Sequence, residues 1–411
     1  MESQALAREV YGRLVRAALS VGTTSSFYYG TIHLESTKIL VDTCVELGQR
    51  AFVGKVNMDQ YAPDGYTETC EQSLKDTESF IQYVRSLDST LVQPVITPRF
   101  IPTCSVPLLE GLGELARKYD VWIQSHASES SDQVEFVRSL LPNVGAGDEA
   151  GLQDGRCTGI FEKFGLLSNK CMMAHGTFLK PEEWNVFKKR GVSIAHCPIS
   201  NSFCSDKYLK VKPLVKNGNK VGLGSDIAGG YQLSILANVR QAVVTSKFHN
   251  FDITAHPDET VNIAADQART VSERAQAAQV EAKLAKDNTV NDSTLSYKDA
   301  FWLATTGGAE AINMSHELGK FAVGYLFDAQ LIDVAPPTSS HTQRTIHLFP
   351  SDSLEDVFQK FINLGDDRHV AEVYVQGRPV KTTQNVLSKA QVAPATMQNP
   401  NGIEVAASSA Q

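Results

Sequence analysis

The chain has 411 residues, of which 42% are hydrophobic and 20% charged, a composition suited to a globular protein with a sizeable core. A net charge of −8 argues against a partner read through its phosphates, since nucleic-acid binders carry a basic face. No run approaches the roughly 18 apolar residues needed to cross a bilayer, and the length suits one barrel of about 250 residues with accessory segments.

Residues 1–21 mix Glu2, Arg8, Glu9, Arg13 and Arg16 with Leu6, Val10, Leu14, Val15 and Leu19. That pattern predicts an amphipathic helix rather than a secretory leader. Short apolar runs predict strands at 23–28, 51–56, 91–96, 121–124, 170–174, 192–195 and 220–224. Between them, residues 35–47, 71–87, 106–118, 131–141 and 180–190 carry helical periodicity. Strand and helix in alternation predict a parallel sheet with helical crossovers, its strands buried on both faces. Seven strands are one short of a closed (β/α)8 barrel, so the expected architecture is an incomplete α/β barrel over 1–314.

Residues 250–292 are rich in Ala, Gln, Glu, Lys and Asp, which predicts a surface insertion with an exposed helix over 271–286. A helix is expected at 296–312, and β segments at 324–332 and 372–380 suggest part of a small β domain over 315–381. Residues 382–411, with Gln, Asn, Pro, Ser and Ala, read as a disordered tail. The seven cysteines form no CxxC pair or evident disulfide framework, which suits a reducing, cytoplasmic setting.

Four polar residues follow predicted strands, at the end where a parallel barrel places its active site: His126, His175, His196 and Asp226. A lone histidine there is more often a packed residue than a ligand. Three histidines and an aspartate at the same end of successive strands favour a shared site. Imidazole nitrogen with one carboxylate is a fitting set for a catalytic Zn²⁺ that keeps a position open for water. Glu129, three residues after His126, could carry protons there without ligating the metal.

The runs Gln124-Ser125-His126-Ala127-Ser128-Glu129, Ala174-His175-Gly176, Ala195-His196-Cys197-Pro198-Ile199-Ser200-Asn201 and Gly222-Leu223-Gly224-Ser225-Asp226 resemble the signatures of the deaminase branch of the amidohydrolase superfamily. Thr97-Pro98-Arg99-Phe100, Gly48-Gln49-Arg50-Ala51-Phe52-Val53-Gly54-Lys55 and Leu364-Gly365-Asp366-Asp367-Arg368 narrow the resemblance to the guanine deaminases. The resemblance implies hydrolytic deamination of guanine to xanthine and ammonia at one zinc, in a homodimer. It implies His126 and Asp226 as metal ligands. Glu129 would move protons, Asp226 would help take one from the metal's water, and His175 would hydrogen-bond the attacking oxygen. Arg99 and Phe100 would hold the purine, with His126, Glu129 and Asp226 also against it. His196 is expected to orient the loop before Pro198.

Family members add a His-x-His pair at the end of a first barrel strand, and no two of this chain's ten histidines are separated by one residue. The expectation is therefore a chain that begins inside the family pattern, holds zinc poorly and turns over little guanine. Its alternatives are a non-catalytic scaffold or dimerisation partner, and a deaminase of another purine, a pterin or an S-adenosylhomocysteine-like molecule. Other enzyme classes lack their marks. No P-C-x-x-C follows His33-Leu34-Glu35, Gly222-Leu223-Gly224 opens no dinucleotide loop, and no G-x-S-x-G elbow occurs.

Overall fold

The computed structural model describes residues 3–147, 149–205, 207–252, 293–334 and 346–382, and each of the seven expected apolar runs forms a strand there. In chain order the first part comprises α1 (Gln4–Ser20), β1 (Ser25–Tyr29), α2 (Leu34–Leu47), β2 (Arg50–Asn57), α3 (Cys70–Ser86), β3 (Val92–Pro98), α4 (Val106–Tyr119) and β4 (Trp122–Ala127). It continues through α5 (Ser131–Leu140), α6 (Cys157–Lys163), β5 (Cys171–His175), α7 (Pro181–Arg190) and β6 (Ser193–His196). Then follow α8 (Pro198–Cys204), α9 (Val211–Asn217), β7 (Lys220–Leu223) and α10 (Ile235–Asp252).

All seven strands run parallel in the order β1-β2-β3-β4-β5-β6-β7, so every step moves one place in the same direction. That progression is the strand order of a (β/α)8 barrel, here open: among the described residues β1 and β7 each pair on one side only. All eight residues of β2 are buried, as expected of a strand covered on both faces. By contrast, the five residues of edge strand β1 are all half-buried.

The core lies between the sheet and its outer helices. Ile96, Ile123, Met173, Ile194 and Val221 on the strands meet Leu108, Leu109 and Leu112 of α4, Phe161 of α6, Phe187 of α7 and Leu214 of α9. A second cluster gathers Ala7, Tyr11, Val15 and Leu19 of α1 with Leu40 and Cys44 of α2 and Val53 of β2. Their spacing of four residues is the inward stripe of α1. Inside the sheet, Gly54 lets the layers close: a Cβ there would lie 1.7 Å from Thr97 Oγ1 and 2.8 Å from Gln124 Nε2.

After β7 the structure departs from the expected elements. The single helix expected at 296–312 is two, α11 (Tyr297–Ala304) and α12 (Thr306–Ala311), broken at Thr305 with φ −125° and ψ −93°. The glycine pair after the break lets α12 approach β7 closely, since a Cβ on Gly222 would meet Gly308 Cα at 3.3 Å. The segment expected as β at 324–332 is strand only in β8 (Ala329–Ile332), because Gly324 turns the chain at φ +88°. A helix outside the expected set, α13 (Leu354–Leu364), starts on a capping box of Ser353 and Asp356. It precedes β9 (Val370–Val375) and β10 (Arg378–Lys381), which complete an antiparallel sheet in the order β10-β9-β8.

This small sheet is fastened to the start of the large one. The Arg50 guanidinium, 2% exposed, pairs with Asp328, and Gln376 N–H donates to Asp328 Oδ1 at 3.0 Å. Gln330 Nε2 donates to Gly22 O at 2.9 Å and Lys381 Nζ to Ser20 O at 2.8 Å. The insertion helix expected at 271–286 and the tail from 383 lie outside the described residues. No helix among the described residues is long and apolar enough to cross a membrane.

Candidate active site

His126 and His175 occupy the carboxyl ends of neighbouring strands, the last two residues of β4 being His126 and Ala127 and the last of β5 His175. They sit within the strands rather than in the loops beyond, because β4 and β5 each run further than their apolar stretches. The sheet pairs His126 with Ala174 and Ala127 with His175. A regular extended residue at 175 would thus face away from His126. His175 instead has left-handed backbone, φ +70°, and its ring lies 5.4 Å from that of His126, the two planes within 20°.

Asp226, beyond β7, also has a left-handed backbone (φ +50°), as does Ser128 (φ +50°) between His126 and Glu129. Each such non-glycine residue costs on the order of 1 kcal/mol, and their gathering at the carboxyl ends of β4, β5 and β7 is the usual mark of a functional site. One ligand atom each from His126, His175 and Asp226 falls within 4.8 Å of the others. That is a donor set which a single cation could bridge.

The histidine tautomers are set by their outer nitrogens. His126 Nδ1 lies 2.6 Å from the Arg99 carbonyl, to which it can only donate. His175 Nδ1 lies 2.8 Å from Asn201 Oδ1, likewise an acceptor. Both rings therefore turn a bare Nε2 inward. His175 is fully buried and its Nε2 has no hydrogen-bond partner, facing Glu129 Oε1 at 3.6 Å. Burial, and next the neighbouring His175, holds His126 below the ordinary imidazole range, and burial lowers His175 in the same direction. Both rings are thus neutral at neutral pH, the form that binds a metal. On Asp226, Oδ2 accepts from Ser200 Oγ at 2.7 Å.

Glu129 stands across from these donors. Its main chain is fixed by Gln133 Oε1 at 2.6 Å from its N–H, and by Thr177 and Ser205 hydroxyls that donate to its carbonyl at 2.5 and 2.6 Å. Its side chain keeps 28% exposure, and burial pushes its carboxyl above the usual carboxylate range. A carboxyl that holds its proton more readily is suited to exchange protons with a reacting group.

The structure brings His126, Glu129, His175 and Asp226 together. His196, also at the end of a strand, is buried outside the cluster, and its carbonyl accepts from Gly224 N–H at 2.8 Å. Arg99 works first through its backbone, whose carbonyl fixes His126. Its guanidinium is exposed at the rim, 5.2 Å from the half-buried Phe100 ring. Three further residues belong to the site. Ser200 and Asn201 are brought back to Asp226 and His175 by α8, a helix begun by Pro198 at its first position. Tyr29, at the end of β1, lays its ring 4.5 Å from His126. For the first two the sequence offered Pro198 at a helix start and the family-like run from Ala195 to Asn201 that contains them, but assigned them no role. Nothing local marks Tyr29.

An open run of parallel strands with nitrogen and carboxylate donors at their carboxyl ends is the arrangement of an α/β-barrel enzyme with a site able to hold a metal. The chain belongs to the amidohydrolase family, whose model matches residues 1–380. Within that family its likeness is to guanine deaminases. It is 37% identical to the guanine deaminase of Dictyostelium discoideum, over 91% of this chain and 72% of that protein. It is 40% identical to that of Homo sapiens, again over 91% and 72%. Among solved structures, the guanine deaminase of C. acetobutylicum with guanine in its active site superposes with a TM-score of 0.73. The match has 32% identity and covers 92% of this chain and 76% of that one.

Proposed function

We propose that this chain catalyses the hydrolytic deamination of guanine to xanthine and ammonia, with zinc as its metal. The observation that carries the reading is the convergence of His126, His175, Asp226 and Glu129 at one rim of the sheet. Its chemical identity is supported by guanine deaminases among the relatives and by one solved with guanine bound.

The donors fit zinc. Two neutral imidazole nitrogens and one carboxylate oxygen are its common ligands, and three protein ligands with an open position are the usual catalytic arrangement. Weak metal binding was expected on His126 and Asp226, with His175 a possible addition, for want of the His-x-His pair. The inward Nε2 of His175 supplies a third. Bound there, zinc would supply Lewis-acid polarisation of a water, bringing its pKa to about 7.

The remaining work falls to the chain. Asp226, steadied by Ser200, holds its second oxygen toward the attacking water and receives a proton from it. Glu129 relays that proton to the purine ring nitrogen, where it stays, and then carries the remaining proton of the added hydroxyl to the departing amine. When the water oxygen adds to the carbon bearing the amino group, the carbon–nitrogen bond breaks and ammonia leaves. Asn201 holds the His175 ring in place throughout. Arg99 and Phe100 at the rim offer a guanidinium and an aromatic face to a planar, donor- and acceptor-rimmed base. We place the protein in the cytoplasm, where its seven free cysteines remain reduced, and as a homodimer by family likeness.

The test is direct. Chain purified in zinc-containing buffer is incubated with guanine, and xanthine and ammonia are quantified. Equal amounts of the two products support the reading, whereas no product from folded, zinc-loaded protein would contradict it.

A further inference from the structure

Tyr29 ends β1 at the rim that carries the donor cluster. Side chains alternate along a strand, so residues 27 and 29 share one face and 28 takes the other. Their contacts follow that rule. Tyr28 packs with residues of α1 and α2, and its hydroxyl donates to Gln49 Oε1 at 2.7 Å. On the opposite face Phe27 stacks on Phe52, with ring centroids 4.4 Å apart. Tyr29 shares that face one layer nearer the site, its ring 4.5 Å from His126 and tilted 46° to it. The Tyr29 hydroxyl is shut off from solvent, yet it makes no hydrogen bond to any described residue. Buried hydroxyls are nearly always paired, and an unpaired one is costly. Burial above all, then Cys197, Asp226, Cys171 and Glu129, hold this phenol well above its ordinary range, so it keeps its proton. Asp226 and Glu129 are the site's own carboxyl groups, so the hydroxyl lies on the side of the reacting centre.

We propose that Tyr29 binds the substrate base directly, its O–H donating to the oxo oxygen or an imidazole nitrogen of guanine. The inference rests on the guanine reading above, and the partner follows from what else the site presents. The inward Nε2 atoms of His126 and His175 and the carboxyl of Asp226 are acceptors, as is Glu129 except while it carries a proton. The hydroxyls of Ser200, Thr177 and Ser205 already donate to Asp226 and to the Glu129 carbonyl. Arg99 donates only from the rim. A purine's oxo group and bare ring nitrogens are acceptors too, so they need a donor that reaches inward. Tyr29 supplies one whose proton is uncommitted. Glu129 serves the ring nitrogen beside the carbon that bears the amino group, which leaves the oxo group and the imidazole side of the base for Tyr29. A base without an acceptor there would strand the buried hydroxyl, so Tyr29 contributes to selection as well as to affinity.

The experiment compares wild type with Tyr29→Phe, which removes the oxygen and keeps the ring against His126. Guanine turnover and calorimetric binding of xanthine, which retains the oxo group and the imidazole ring, are measured in one zinc-containing buffer. Loss of one neutral hydrogen bond predicts that KM for guanine and Kd for xanthine each rise roughly 2- to 13-fold, with kcat held within about twofold. Zinc content should stay at the wild-type level. The melting temperature of the free protein should be equal or higher, because the oxygen removed had no partner. A hydroxyl with a purely structural role would lower the melting temperature and leave KM as it was, which would overturn the assignment. So would an effect confined to kcat. Wild-type KM and Kd in Tyr29→Phe would overturn it too and leave the guanine reading standing. Wild type that neither deaminates guanine nor binds xanthine would overturn both.

Discussion

A histidine can serve a metal only if something else decides which nitrogen is bare. In this site the Arg99 carbonyl makes that decision for His126 and the Asn201 side chain for His175. Asn201→Ala removes the acceptor and leaves a buried Nδ1–H without a partner. Loss of such a supporting group typically weakens metal affinity by about 10- to 100-fold, so zinc titration followed by elemental analysis should show that loss, together with a modest fall in melting temperature from the unpaired Nδ1–H. Glu129 makes a different prediction, because it faces His175 without belonging to the donor cluster. Glu129→Gln should retain wild-type zinc content yet lose roughly 100- to 10,000-fold in kcat, the range of general acid–base catalysis. Zinc content that falls with Glu129→Gln would make it a ligand instead. At this scale His126, His175 and Asp226 were legible in the sequence because each follows an apolar run, and Glu129 because it comes three residues after His126. Asn201, Ser200 and Tyr29 were less so, because their roles come from contacts across strands that no local pattern encodes.

The parallel strands place the site, and their closeness depends on residues that contribute no chemistry. Gly54 sits in the middle of β2, where even a methyl group would collide with Thr97 Oγ1 and crowd Gln124 Nε2, which itself donates to Tyr28 O at 2.9 Å. Gly54→Ala should destabilise the protein by about 1–3 kcal/mol, the usual cost of overpacking a core. Denaturant unfolding would show it, and an unchanged midpoint would mean that the strands can part there. All seven strands were readable as short apolar runs, with ends that shift by at most three residues. The helices beyond β7 were harder. Residues 296–312 carry one continuous apolar pattern, and only the packing of Gly308 on Gly222 reveals why the helix breaks before α12. The start of α13 had a local signal in Ser353 and Asp356, a capping box just before an apolar stripe, yet no helix was expected there.

At the scale of the molecule, the small sheet is held to the large one through charge buried at Arg50, which is 2% exposed, and Asp328, which is 10% exposed. Removing one member of a buried pair leaves the other without its partner and costs about 3–5 kcal/mol. Arg50→Ala should therefore loosen β8–β10 before the barrel core, seen as faster hydrogen exchange at Asp328 and Gln376 than at Ile123 or Ile194. Uniform exchange across both sheets would show that they unfold as one. The sequence could indicate both sheets but not this tie, because Arg50 and Asp328 are far apart along the chain.

The central claim is that His126, His175 and Asp226 hold one metal on which guanine hydrolysis depends. Zinc content measured by elemental analysis in wild type and in His126→Ala, His175→Ala and Asp226→Asn, alongside xanthine formation from guanine, tests it most directly. Stoichiometric zinc and turnover in wild type, with both lost together in each variant, is the predicted result. Folded wild-type protein that takes up no zinc, or variants that keep it in full, would contradict the account.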